Sequence, residues 1–121
     1  MGYRSEVAVR IEVPTSTTAK ELIERIEKDY VKLNDLFDDV VVDKEFNFEV
    51  IKLHTDYVKW YDTFDDVYAF HRFLDDFGDE CEEEKGAYHF IRIGEDLSDI
   101  DERCVGDLYS YMSMTRFVDW K

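Results

Sequence analysis

The chain has 121 residues, in which thirty Asp and Glu against fifteen Lys and Arg give a formal net charge of −15. Direct binding to DNA, RNA or an anionic membrane is disfavoured, because the field of so small and acidic a body repels phosphate groups. Hydrophobic residues make up 45% of the chain and aromatic residues 16%, which suffices for one packed core and excludes a wholly disordered chain.

The two cysteines, Cys81 and Cys104, are too few for a disulfide framework. The opening residues contain no unbroken apolar stretch that would serve as a secretory signal. No segment approaches the roughly 20 apolar residues that a membrane helix needs. We therefore expect a cytosolic protein with reduced thiols and no membrane contact.

The first predicted elements are a strand and a helix. Val7, Val9, Ile11 and Val13 alternate with polar or small residues, which predicts a strand with one buried face. Thr18 and Glu21 then stand in capping-box register, which predicts the start of a helix. Its apolar stripe is Ala19, Leu22, Ile23, Ile26, Tyr30 and Leu33.

A hairpin is predicted next. The segment 34–44 mixes turn formers with a Val run, and its pattern leaves open whether Val40 to Val42 form a small edge strand. Strand residues then extend from Phe46 to Tyr61, and His54-Thr55-Asp56 is placed to turn the chain between them.

The clearest predicted helix follows. Thr63 and Asp66 are in capping-box register, and Gly78 stands where a left-handed C-cap would end the helix. Asp75 and Asp76 would then lie near the unfavourable negative end of the helix dipole. The apolar face is Val67, Phe70, Leu74 and Phe77.

After this helix we predict a strand in "AYHFIRI", a polar connection in "GEDLSDIDERCVGD" and a last strand in "LYSYMSMTRFVDW". The alternating "YSYMSM" is a candidate edge for a homodimer. The order β-α-β-β-α-β-β predicts one α+β domain over residues 1–121. We expect a mostly antiparallel sheet with two helices on one face, in a ferredoxin-like arrangement.

Three short motifs carry a resemblance. The opening "MGYRSEV", then "VKWYDTFDDV", then "FIRIGED" together resemble a group of small, largely uncharacterised phage and prophage proteins. That group begins with Met-Gly-Tyr-Arg-Ser and an acid, followed by Lys-Trp-Tyr and Arg-Ile-Gly-Glu segments. The resemblance implies a host-takeover or anti-defence setting and supplies no catalytic residues.

The acidic residues are the main candidate site. Carboxylates on a rigid surface can imitate the phosphates of DNA, so that a cationic groove of a host protein binds the mimic instead. A solvated surface that serves solubility alone is the plain alternative. The predicted partner-binding residues are Asp62, Asp65, Asp66, Asp75, Asp76, Asp79, Glu80, Glu82, Glu83, Glu84, Glu95, Asp96, Asp99, Asp101 and Glu102.

Metal sites and catalytic sites have less support in the sequence than an acidic binding surface. No acidic run fits the register of a calcium-binding EF-hand loop. His54, His71, His89, Cys81 and Cys104 lack the close spacing of zinc motifs, and His89 is expected to face solvent. No motif with a catalytic mechanism appears, so we expect no enzyme activity, metal or cofactor.

The aromatic residues are expected mainly to fill the core, although an exposed binding patch is the alternative. The candidates are Trp60, Tyr61, Tyr109, Tyr111, Phe117 and Trp120. Arg4 and Lys59 are expected to form structural ion pairs. A pocket around these two cations that binds an anionic nucleotide signal is the second functional hypothesis.

Overall fold

The computed structural model describes residues 3–45, 47–84, 86–96, 98–106 and 108, with the backbone alone for residues 82–84. None of the helices in these residues is both long and apolar enough to cross a membrane. The elements are, in chain order, β1 (Ser5–Glu12), α1 (Ala19–Asp29), α2 (Leu33–Leu36), β2 (Asp39–Glu45), β3 (Phe48–Val58), α3 (Asp65–Glu84), β4 (Ala87–Gly94) and β5 (Ile100–Val105).

The strands form one five-stranded sheet in the order β2-β3-β1-β4-β5. Every neighbouring pair is antiparallel, and β1 lies at the centre, paired with β3 on one side and β4 on the other. The predicted α+β class with an antiparallel sheet is therefore confirmed. The residues that the structure describes contain three helices rather than the two expected from sequence.

The main core lies between one face of this sheet and the helices. Val7, Val9 and Ile11 of β1 belong to the same buried cluster as residues of α1, α2 and α3. Burying one such aliphatic or aromatic side chain contributes about 1.5–3 kcal/mol. The fully buried Phe70 and Phe73 of α3 therefore fix this helix against the sheet.

The first helix begins as predicted and ends earlier. Thr18 Oγ1 accepts a hydrogen bond from the Glu21 backbone N–H at 3.1 Å, which confirms the cap. The helix ends at Asp29, and Leu33 begins the separate four-residue α2. Leu33 and Leu36 of α2 are buried like the apolar residues of α1, so the apolar spacing in the sequence continues past Asp29. The sequence pattern therefore does not indicate where α1 ends.

The end predicted for α3 at Gly78 is wrong. This helix continues through Gly78 to Glu84, because Phe77 and Cys81 extend its buried stripe and their packing outweighs the low helix propensity of glycine. The predicted capping box also does not form. Asp66 Oδ1 instead accepts the N–H of its neighbour Val67 at 2.8 Å.

The hairpin turn was also predicted in the wrong place. The hairpin reverses between the end of β2 at Glu45 and the start of β3 at Phe48, and β3 runs without a break through His54, Thr55 and Asp56. Thr55 is buried at 1% exposure and lies opposite Val7, so burial overrides the turn preference of this tripeptide. The Val40–Val42 run belongs to β2, an edge strand of the sheet.

The predicted polar connection after β4 contains the strand β5, which is the other edge of the sheet. Its side chains are mostly exposed and bond to β4 through charge, as in the contact of Arg92 with Asp101, so no hydrophobic alternation marks the strand. The predicted last strand "LYSYMSMTRFVDW" and its dimer edge lie outside the described residues, apart from Leu108.

Both faces of β1 are buried, contrary to the prediction of one buried face. Glu6, Arg10 and Glu12 are 4%, 2% and 6% exposed. Arg10 compensates for its burial with a contact from Nε to Glu12 at 3.0 Å and a two-pronged contact to Glu45 at 2.9 and 3.0 Å. These bonds outweigh the effect of burial and raise the pKa of Arg10.

Candidate binding cleft

A cleft of about 1000 Å³ opens between α3 and the β4–β5 edge of the sheet. Pockets for small ligands span roughly 300–1,000 Å³, so this volume suits a large ligand or a short peptide segment. Its lining residues are Tyr3, Trp60, Tyr61, Asp62, Thr63, Tyr68, His71, Asp75, Phe90, Arg92, Asp99, Asp101, Glu102 and Arg103.

Aromatic rings form one wall of the cleft. Trp60 is 7% exposed and packs against Phe70 and Phe90, with ring centroids 6.1 and 6.2 Å away, so it belongs both to the core and to the lining. Tyr68 is 59% exposed at the rim. The prediction that most aromatics fill the core is confirmed for Trp60, while Tyr68 supplies an accessible ring.

The N-terminal segment is held against this wall by hydrogen bonds. The Tyr3 backbone N–H donates to the Tyr61 hydroxyl at 2.7 Å, and the Tyr3 hydroxyl accepts from the Asp96 backbone N–H at 3.0 Å. These two bonds connect the residues before β1, the β3–α3 loop and the β4–β5 loop. The aromatic side of the cleft is therefore fixed in place by backbone contacts.

His71 is held in its neutral form. Trp60 Nε1–H donates to His71 Nε2 at 3.0 Å, so this nitrogen carries no proton. Burial lowers the pKa of His71, which agrees with the neutral ring. Asp62 Oδ1 lies 4.0 Å from the same nitrogen, and we infer that the two form no ion pair because no proton lies between them.

Two arginines cross the cleft, and each is matched by carboxylates. Arg92 donates from Nη2 to Asp99 Oδ1 at 2.8 Å and from Nε to Asp101 Oδ2 at 2.9 Å. The contact with Arg92 lowers the pKa of Asp99. Arg103 reaches from β5 to Asp75 of α3 at 3.3 Å. Neither guanidinium is left without a carboxylate partner.

Five of the predicted partner-binding acids line this cleft: Asp62, Asp75, Asp99, Asp101 and Glu102. They come from three separate parts of the chain, and only the folded sheet brings them together. The Glu102 carboxylate is directed away, because it contacts His89 at 2.6 Å on the other face of the sheet. Asp62, with its side chain 90% exposed, is the most accessible of them.

Two of the other acids of α3, Asp76 and Glu80, lie outside the cleft lining. Tyr30 donates to Asp76 at 2.6 Å, and Arg25 donates twice to Glu80 at 2.7 and 3.0 Å, so both acids face α1. Asp65 and Asp66 lie in the first turn, where the helix dipole favours negative charge. The backbone of Glu82, Glu83 and Glu84 forms the last turn.

Two predicted acids that follow β4, Glu95 and Asp96, accept backbone hydrogen bonds. Glu95 accepts the backbone N–H of Arg4 at 2.9 Å, and Asp96 accepts both the N–H and the hydroxyl of Ser98. The side chain of Asp79 is exposed and makes no hydrogen bond or ion pair with the part of the chain that the structure describes. The predicted set thus covers more than one side of the molecule. The dipole cost predicted for Asp75 and Asp76 does not apply, because α3 extends to residue 84 and these two acids lie before its last turn.

The predicted ion pairs of Arg4 and Lys59 do not form within the described ranges. Arg4 instead lies over the ring of Tyr57, with its Cζ atom 5.0 Å from the ring centroid. Tyr57 has a positive φ of 58° and is 72% exposed, at the point where the pairing of β1 with β3 shifts register. A tyrosine in this conformation is strained.

The histidines and cysteines partly converge. His89 lies directly opposite Cys104 across the β4–β5 ladder. The prediction that His89 faces solvent is wrong, since it is 1% exposed. Cys81 is buried in the core, and burial raises its pKa to about 12. Cys104 is exposed at the sheet edge.

Sequence reasoning missed Tyr3, Tyr68, Arg92 and Arg103 as lining residues. The strand pattern of "AYHFIRI" already placed Arg92 on the same face as Phe90, which was a usable signal. Arg103 carried no such signal, because β5 was interpreted as a loop.

In comparisons with protein-family models, with curated proteins and with solved structures, no match to this chain was found.

Proposed function

We propose that this is a non-enzymatic binding protein that engages a host protein through its acidic surface, with the cleft as the anchoring point. The observation that carries the proposal is the cleft itself, which combines accessible aromatic rings with more carboxylates than guanidiniums. The partner would present a cationic surface.

Cationic side chains fit this lining. A Lys or Arg of the partner gains from the face of an aromatic ring and from a nearby carboxylate at once. Tyr68 and Asp62 are both exposed at the cleft and supply such a pair of groups. The net charge of −15 would accelerate the encounter with a cationic partner and make it sensitive to salt.

Imitation of DNA is the specific form of this proposal, with a nucleic-acid-handling host enzyme as the partner. The 20 residues of α3 extend over about 30 Å and carry carboxylates from the first turn to the last. That length corresponds to roughly nine phosphates along one strand of DNA. Ion pairs with Arg25 and Arg103 neutralise part of this charge, so the cleft rim is the stronger candidate for direct contact.

Anionic small molecules are the second candidate, favoured by the presence of Arg92 and Arg103 in the lining. Their existing bonds to Asp75, Asp99 and Asp101 argue against it, because an anion would have to displace a carboxylate from each guanidinium. A binding role is favoured over catalysis by the contact of Trp60 with His71. That bond occupies the lone pair that a general base would need.

The finer fold and the setting are part of the proposal. The order β2-β3-β1-β4, with β1 antiparallel to both neighbours, supports a ferredoxin-like arrangement to which β5 is added at one edge. A phage or prophage setting and action in the host cytosol rest on the resemblance of the three short motifs. We propose a monomer or homodimer.

The test is a titration with two probe peptides, one of eight arginines and one of eight glutamates, at low and at high salt. The proposal expects binding of the cationic peptide alone, with affinity that falls as salt rises. An ATP titration run beside it addresses the second candidate. Binding of ATP without binding of the cationic peptide would overturn the proposal.

A matched pair of variants locates the binding. Asp62→Asn removes one exposed carboxylate from the cleft, and Glu24→Gln removes one exposed carboxylate from α1, outside the lining. Both variants lose the same charge. We expect Asp62→Asn to lower the affinity for the cationic peptide several-fold more than Glu24→Gln does. Equal decreases in affinity would show that net charge alone drives binding.

A further inference from the structure

We propose that His89, Glu102 and Cys104 form a site for a zinc-like transition metal ion at the β4–β5 edge of the sheet. This inference is independent of the proposed partner binding, because it concerns the face of the sheet opposite to the helices. One ligand atom from each of the three residues lies within 4.8 Å of the other two.

Strand pairing explains why the three side chains meet. His89 and Cys104 are directly opposite each other in the antiparallel ladder, and Glu102 is two residues from Cys104. Residues two apart in a strand point to the same face, so all three side chains project together. Directly opposite Cβ atoms are about 4.5–5.5 Å apart, a distance that a single ion can bridge.

The ligand atoms suit zinc in kind, and the two exposed side chains allow their spacing to adjust. Zinc binds imidazole nitrogen, thiolate sulfur and carboxylate oxygen at about 2.0–2.3 Å, which places tetrahedral donors roughly 3.3–3.7 Å apart. His89 Nε2 and a Glu102 carboxylate oxygen are 2.6 Å apart, which is a hydrogen-bond distance. A bound ion would replace this bond, and the carboxylate would move outward by roughly 1 Å. Cys104 and Glu102 are exposed and can rotate toward the buried His89, and water would complete the coordination.

Another histidine of the same sheet, His54 of β3, shows that proximity to carboxylates is not sufficient for a metal site. His54 contacts Glu6 through Nε2 at 2.7 Å and Asp39 through Nδ1 at 3.6 Å. Because the two nitrogens lie on different sides of the ring, these carboxylates do not converge on one point. His89 differs, since an acid and a thiol approach it together.

The nearby positive charge is already compensated. Arg10 is the β1 residue opposite His89, and a free guanidinium there would repel a metal ion. Its contacts with Glu12 and Glu45 balance that charge with two carboxylates. A divalent ion at His89 would therefore meet a negative environment.

The test uses Co²⁺ as a spectroscopic probe on the full chain after treatment with a chelator. We expect one equivalent of Co²⁺ to give a thiolate-to-cobalt charge-transfer absorption, which added Zn²⁺ removes. Cys104→Ser should abolish this absorption, and Glu102→Gln should weaken Co²⁺ binding by more than tenfold. Cys81→Ala is the matched control and should leave the absorption unchanged, since Cys81 is in the core.

Three outcomes would overturn the proposal. The first is the absence of the charge-transfer absorption, and the second is equal absorption in Cys104→Ser and the parent protein. The third is Co²⁺ binding that Mg²⁺ displaces at equal concentration, which would indicate weak capture by surface carboxylates. Circular dichroism of each variant establishes that it is folded, and Cys104 and Glu102 are exposed, so their replacement leaves the core intact.

Discussion

Gly78→Ala should stabilise the protein, because Gly78 lies inside α3 and not at its end. Alanine is favoured over glycine in a helix interior by about 1 kcal/mol. An added Cβ would lie 3.5 Å from Tyr88 Cε2 and 3.5 Å from Val105 Cγ1, which are ordinary van der Waals distances. We expect a gain of about 1 kcal/mol in the free energy of unfolding, and a rise in Tm of roughly 3–6 °C.

The assay is thermal and urea unfolding followed by circular dichroism, with Gly106→Ala as the matched control. Gly106 has a positive φ of 85°, and a Cβ there would collide with the carbonyl oxygen of Gly86, so the same substitution should destabilise by at least about 1 kcal/mol. A loss of stability in Gly78→Ala would refute the reasoning. It would indicate that the helix ends at Gly78 in a left-handed cap, as the sequence pattern suggested.

Three further predictions concern strain, buried charge and pH. Tyr57→Gly should raise the free energy of unfolding by roughly 0.5–1 kcal/mol, because glycine adopts the left-handed conformation without strain and the lost contact with Arg4 is exposed and weak. A lower urea midpoint than that of the parent protein would contradict this. Arg10→Met should lower the free energy of unfolding, measured with urea, by about 3–5 kcal/mol, because Glu12 and Glu45 lose their buried cation. A decrease below about 1 kcal/mol would show that the ion pairs of Arg10 contribute little to stability. The lowered pKa of His71 means that the unfolded chain binds the proton first, so stability falls as pH drops through about 6.5. The free energy of unfolding of His71→Gln should fall less between about pH 7.5 and pH 5.5 than that of the parent protein. Equal decreases in the two proteins would refute the lowered pKa of His71 as the cause.

Much of the fold could be predicted from local patterns. Apolar alternation located β1 and β4, and the Thr18 cap located the start of α1. The end of α3 could not be predicted, because Gly78 is a typical helix terminator and the burial of Phe77 and Cys81 on either side of it becomes visible only in the folded structure. The strand β5 was missed since its polar side chains bond across the ladder and show no hydrophobic alternation.

The candidate site was predictable in composition but not in arrangement. The sequence showed many carboxylates and aromatic rings, and five of the predicted acids line the cleft. Which acids meet depends on the pairing of β5 with β4 and on the contact of Arg103 with Asp75. The approach of His89 to Cys104 depends on the same strand pairing, so it was equally invisible in the sequence.

The most direct test of the account is a map of the cationic peptide on the protein by NMR. With the eight-arginine peptide added to isotope-labelled protein, we expect the largest chemical-shift changes at cleft residues such as Tyr3, Trp60, Tyr68 and Asp99. The contacts of α1 with Asp76 and Glu80 should remain unaffected. Changes spread evenly over the acidic residues, or concentrated on the α1 side of α3, would contradict the cleft as the binding site.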